Sequence, residues 1–177
     1  RSFADGLAIP LGVLPYLDGC YVQHGPDVLL LKDTDGDGRA DQRTPILTGF
    51  GVEDSHLMPH QFTRAPGDWI WLAQGAFNRS QVRRPQDPPE KAIAFDQTRM
   101  ARFRPNGDQF EITAQGPCNI WGLVISGEGE AFIQEANDYG YPVMPFHEFA
   151  NYPGCSNRQF KSYAPDFPAT AEFRLGG

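Results

Sequence analysis

The chain of 177 residues is 40% hydrophobic and 12% aromatic, and its 22 acidic and 15 basic side chains leave a net charge of −7. That composition excludes a disordered chain, and the charge argues against nucleic acid or an anionic membrane as a partner. No apolar run approaches the ~20 residues that a spanning helix needs, and glycines and prolines scattered singly favour many short strands over a few long helices.

The chain starts at Arg1 with no signal-type apolar segment after it, so it reads as processed or trimmed. Three units follow, expected over residues 8–57, 58–118 and 119–177. In the first, YLDGCYVQHG (16–25) holds a glycine turn, the aromatic–aliphatic pair Tyr21-Val22, and Gln23. A strand over 29–31, the acidic run DTDGDGRAD (33–41) and a second strand over 46–50 come next. The second unit repeats the opening as RAPGDWIWLAQG (64–75), with Trp71-Leu72 and Gln74. Asn78-Arg79-Ser80 then fits a glycosylation sequon. RRPQDPPEKA (83–92) reads as a long exposed loop, because its prolines cannot serve central strands. RMARFRPNGDQFEITAQG (99–116) is strand, tight Pro105-Asn106-Gly107 turn, strand and glycine. The third unit carries the motif as ISGEGEAFIQEA (125–136), with Phe132-Ile133 and Gln134. From Asn137 the chain turns rich in aromatics and prolines, which suits either a functional segment or a rigid, packing cap.

The aromatic–aliphatic anchors stand 50 and 61 residues apart. Units of this length holding about four short strands each predict an all-β chain of β-propeller blades. An ordinary antiparallel sandwich is the alternative; the recurrence of two landmarks in one order favours blades. About three four-stranded blades do not close a ring, so further blades or a second chain are expected to complete one. Cys20, Cys118 and Cys155 leave at least one thiol unpaired. Cys118 and Cys155 either form a bridge or remain buried thiols.

The acidic run follows D-x-D-x-D-G-x-x-D. Alternation turns Asp33, Asp35 and Asp37 to one point, Gly38 permits the bend that brings the Arg39 carbonyl round, and Asp41 closes the cage. Oxygen-only ligands of high charge suit Ca²⁺. An EF-hand would carry Glu at the twelfth position, which here is Thr44. The loop instead resembles the calcium hairpins of integrin-type propeller blades, and its expected role is structural. EDSHLMPHQFTR (53–64) leads into the second unit and carries His56 and His60, with Asp54 and Arg64 near. In a propeller this segment borders the central channel, where a histidine can act as a base near neutral pH. His147-Glu148 lacks the second histidine of a zinc protease motif.

GPDVLLLKDTDGDGRAD, LTGFG, SHLMPHQFTRAPGDWIWLAQGAFN, FDQTRMARFRPNG and QEANDYGYP together resemble the N-terminal propeller of the membrane-bound dehydrogenase family of planctomycete-type bacteria. These are large secreted proteins, many with a c-type haem domain further along. That propeller is similar in turn to the six-bladed glucose and sorbosone dehydrogenases, which depend on pyrroloquinoline quinone (PQQ). This second likeness rests on a His before a GPDG-like turn and on NDYGYP. The resemblance implies a periplasmic or extracellular address, a PQQ cofactor, a c-type cytochrome as electron acceptor, and a sugar or alcohol substrate. It implies a channel-facing histidine that takes the hydroxyl proton. The matching place falls at Leu57, so His56 is the first candidate and His60 the reserve. It places Asn137, Asp138, Tyr139 and Gly140 along the cofactor, with Arg64 and Arg99 expected to meet its carboxylates. The chain holds no CxxCH haem motif of its own. The other expectation is a calcium-stapled propeller that binds a glycan or a protein and catalyses nothing. Trp69, Trp71, Trp121 or Tyr139 would then stack on sugar.

Overall fold

The computed structural model describes residues 1–116, 119–135 and 143–150. These residues are all-β, arranged as small antiparallel sheets of the blade type, with no closed barrel. The first sheet runs β1 (Val13–Tyr16), β2 (Gly19–His24), β3 (Asp27–Lys32), β4 (Gln42–Leu47), each strand pairing with the next. The second runs β5 (His60–Ala65), β6 (Trp69–Gln74), β9 (Arg99–Phe103), β10 (Phe110–Gln115). A hairpin, β7 (Arg79–Val82) and β8 (Ile93–Asp96), is inserted between β6 and β9. The third runs β11 (Ile120–Ile125), β12 (Ala131–Glu135), β13 (Met144–Phe146).

The sequence repeat marks one structural position. Tyr21-Val22, Trp71-Leu72 and Phe132-Ile133 all lie in the second strand of their sheets. The recurring glutamine has a physical reason in the first two blades. Gln23 and Gln74 are fully buried, and their amides satisfy loop backbone. Gln23 accepts from the Leu11 amide at 2.8 Å and donates to the Gly25 carbonyl at 2.9 Å. Gln74 donates to the carbonyls of Asn78 and Gln97. Gln134 in the third blade is exposed.

The strand period of two decides how the blades stack. Ile70 and Leu72 of β6 point one way, into a core with Tyr21, Val28, Leu47, Phe62 and Phe103 that joins the first two blades. Trp71 and Ala73 point the other way, against Met100, Ile120, Ile133 and Met144, and join the second blade to the third. β6 is therefore buried on both faces, as a central blade requires. The first strands of the three sheets lie side by side, with β5 against both β1 and β11. The outer face of the first blade, Val22, Leu29 and Leu31, is covered by Ala4, Leu7 and Ala40.

Two local expectations change. The stretch 83–92 is a connection, but it sits at the tip of the β7–β8 hairpin, whose four-residue strands are too short to announce themselves. That hairpin docks on the end of the first blade, where Thr48 and Arg83 exchange amide bonds at 2.9 and 3.1 Å. The strand expected over 46–50 is β4, Gln42–Leu47. It runs through Pro45 because it is the outermost strand of its sheet. The Pro105-Asn106-Gly107 turn is present as read: Gly107 has φ +73° and its amide bonds the Arg104 carbonyl at 2.7 Å.

Candidate functional site

The acidic run links β3 to β4. Asp33 organises it by accepting the amides of Gly36 at 2.7 Å, Asp37 at 3.2 Å and Gly38 at 2.7 Å. Gly36 and Gly38 supply the positive φ, +78° and +83°, that aims these amides inward. Partial desolvation pushes the Asp33 carboxyl pKa up; the amides of Gly38, Gly36 and Asp37, with Asp35, outweigh it and hold it below the usual value. Carboxylate oxygens of Asp33, Asp35 and Asp37 lie within 4.8 Å of one another. An oxygen-only donor set at this spacing fits a hard cation such as Ca²⁺. Asp41 is turned to Thr34, accepting its amide at 3.1 Å and its hydroxyl at 2.7 Å. The Arg39 amide donates to Asp37 at 2.7 Å while its guanidinium reaches Asp5 at 2.8 Å. Arg1 meets Asp37 at 3.3 Å.

A second constellation stands where the chain enters β5. Asp54 caps a 3₁₀ turn, Ser55–Leu57, accepting the His56 amide at 3.3 Å. The same Asp54 oxygen lies 2.5 Å from Nδ1 of His56, whose side chain is 62% exposed while that of Asp54 is 23% exposed. Leu57 plugs the turn into the fold: it is buried, and its carbonyl accepts the Gly75 amide at 3.0 Å. Only glycine fits at 75, because a Cβ there would lie 2.6 Å from Leu57 Cβ. Asp54 is also held from below by Asn78, through its amide at 2.8 Å and its carbonyl at 3.2 Å.

His60 starts β5 and is fully buried. Its Nδ1 faces the Met58 carbonyl at 2.6 Å and its Nε2 the Ile120 carbonyl at 2.5 Å. Burial pushes its pKa below the ordinary value, against the upward pull of the two carbonyls. Both nitrogens are thus engaged, and the ring ties the second blade to the third. Trp121 of β11 stacks on His60, with centroids 4.7 Å apart, and lies nearly parallel to His56 at 6.5 Å. Its indole N–H donates to Asn119 at 2.6 Å.

Arg64 and Arg99 are not brought to this place. Arg64 is four residues along β5 from His60, roughly 13 Å at strand rise, and its guanidinium lies 5.1 Å from the centre of the Tyr16 ring. Arg99 is two strands away in β9, bonded to the Thr98 carbonyl at 3.0 Å and paired with Asp96 at 3.5 Å. They form no joint clamp for a dicarboxylate beside His56, so this pair does not fit the expected role toward PQQ. Trp71 is core between blades, and Trp69 is covered by Arg102 and Arg104 at 4.5 and 3.9 Å. Asn137, Asp138, Tyr139 and Gly140, and the Cys118–Cys155 question, lie outside the described residues. Cys20 is a free, half-buried thiol. In sequence Asn78 reads only as part of a sequon and Trp121 as one of three tryptophans; neither carries a local signal of its place, Asn78 at Asp54 and Trp121 against His60 and His56.

A family model described as Domain of unknown function (DUF7133) matches residues 1–171. No curated protein and no solved structure matches.

Proposed function

The chain belongs to the family described as Domain of unknown function (DUF7133), and we propose that it is part of a calcium-stabilised propeller that acts on the hydroxyl of a sugar or alcohol, with His56 as the base. One observation carries this reading: a carboxylate oxygen lies 2.5 Å from Nδ1 of a largely exposed histidine. A carboxylate this close to Nδ1 favours the tautomer protonated there and leaves the Nε2 lone pair free. That nitrogen can accept a hydroxyl proton, and Asp54 stabilises the imidazolium that results. Ca²⁺ at Asp33, Asp35 and Asp37 is structural, drawing together the loop between two outer strands. In the resembling enzymes a PQQ-type quinone is the hydride acceptor; Arg64 and Arg99 are engaged elsewhere and do not converge on His56 to hold one. The remaining blades, or a second chain, complete the ring. A c-type cytochrome as electron acceptor and a periplasmic or extracellular address belong to the same reading.

The engagement of both arginines elsewhere favours a second reading, a non-catalytic propeller that binds a glycan or a protein partner. Dye reduction by the full-length protein, with PQQ and Ca²⁺ and across a panel of sugars and alcohols, separates the two. Reduction that disappears in His56→Ala supports the base. No reduction, together with signal on a glycan array, supports the binding module.

A further inference from the structure

Beneath the Asp54–His56 pair lies a closed polar cluster that the sequence offered only as a glycosylation triplet. Asn78 and Gln74 are fully buried and Ser80 nearly so. Asn78 Oδ1 accepts the Asp54 amide and its Nδ2 donates to the Asp54 carbonyl, so one side-chain amide matches both backbone groups of one residue, as a neighbouring strand would. The Asn78 carbonyl is fixed in turn by the Gln97 amide at 3.1 Å and Gln74 Nε2 at 3.3 Å. The Ser80 hydroxyl donates to Gln74 Oε1 and accepts the Gly51 amide at 2.8 Å. A buried amide with this many partners is inaccessible to a glycan and is expensive to disturb.

Asp54 carries this cluster toward the surface: its side chain is 23% exposed and lies beside His56. Its backbone amide and carbonyl are both held by Asn78, and from that position its carboxylate oxygen lies 2.5 Å from Nδ1 of His56. We propose that Asn78 is a positioning residue: it holds Asp54 so that the carboxylate selects the Nδ1–H tautomer of His56 and leaves Nε2 unprotonated. This rests on the reading of His56 as the base, but its test does not require activity.

Long-range ¹H–¹⁵N spectra of the histidine rings in the full chain, at a pH where His56 is neutral, report the tautomer directly. The wild type is expected to show His56 as Nδ1–H. Asn78→Ala is expected to move the ring to a mixture with Nε2–H, as Asp54→Asn does. Ser80→Ala disturbs the same buried cluster without touching Asp54 and is expected to keep Nδ1–H. Should Asn78→Ala not fold, Asn78→Asp keeps the acceptor for the Asp54 amide but loses the donor, and is expected to give an intermediate mixture. A His56 ring that stays Nδ1–H in the Asn78 variants while the melting temperature falls would make Asn78 merely structural and overturn the proposal. So would an equal tautomer change in Ser80→Ala. If dye reduction never appears but the tautomer follows Asn78, the positioning stands and only the enzymatic reading fails.

Discussion

Replacing His60 by leucine tests how the second and third blades are joined. The substitution keeps a buried side chain of similar bulk but removes the donor between Met58 and Ile120. A neutral ring has one N–H, so one carbonyl is stranded outright, at about 1–3 kcal/mol. Loss of the stack on Trp121 adds roughly 0.5–1.5 kcal/mol, and the more apolar side chain returns about 1 kcal/mol. The net loss at neutral pH is about 2 kcal/mol, readable as a shift in the urea midpoint at constant slope. The pH dependence carries more information. Burial holds the folded pKa of His60 below its ordinary value, so the unfolded chain takes up the proton first, below about 6.5. The contribution of the neutral ring is present above that pH and is lost as the pH falls through it. The leucine variant has no such loss, and its gap from the wild type is expected to shrink between about pH 7 and 5. A gap that widens in acid would mean that the two carbonyls outweigh burial and hold an imidazolium, refuting the reasoning.

Gly75→Ala forces Leu57 aside, at about 1–3 kcal/mol of overpacking. It should lower the melting temperature and disturb the His56 ring signals together; an unchanged His56 would uncouple the turn from its plug. Asp35→Ala should lower the melting temperature in millimolar Ca²⁺, by up to about 2.7 kcal/mol equivalent at a hundredfold excess over Kd, but not in EDTA. Equal effects in both buffers would reject the cation site.

The blades were readable because their signals are local. A glycine turn followed by an aromatic–aliphatic pair sits in ten consecutive residues, and Tyr21, Trp71 and Phe132 all proved to be second-strand positions. β7 and β8 were not, since RSQV and IAFD are four-residue strands flanking a proline-rich tip that dominates the pattern. At the site, Asp54 and His56 are neighbours in sequence and were visible as such. His56 stood first and His60 in reserve there; the structure puts His56 within an exposed turn and His60 at the start of a strand whose first side chain faces the seam. Asn78 and Trp121 reach the pair from β6–β7 and β11, and only the packing of two blades brings them there. Arg64 and Arg99 show the reverse failure: charge was legible, but which end and which strand would carry it was not.

The four aspartates of the 33–41 run have their compensation in the structure, and it bears on what a cation can do there. Asp33 already accepts three amides, Asp41 is bound by Thr34, and Arg1 reaches Asp37. The loop is also tied to the segment that covers the outer face of the first blade: the Ala40 amide bonds the Phe3 carbonyl at 2.7 Å, and Arg39 pairs with Asp5. Hydrogen bonds and the pairs Arg1–Asp37 and Arg39–Asp5 therefore already hold the hairpin. An ion adds attraction to three carboxylates that would otherwise repel across 4.8 Å or less, and it removes the need for Arg1 at Asp37. Its expected signature is a melting temperature that rises with Ca²⁺ at constant strand content, rather than a fold that appears only when the ion is present.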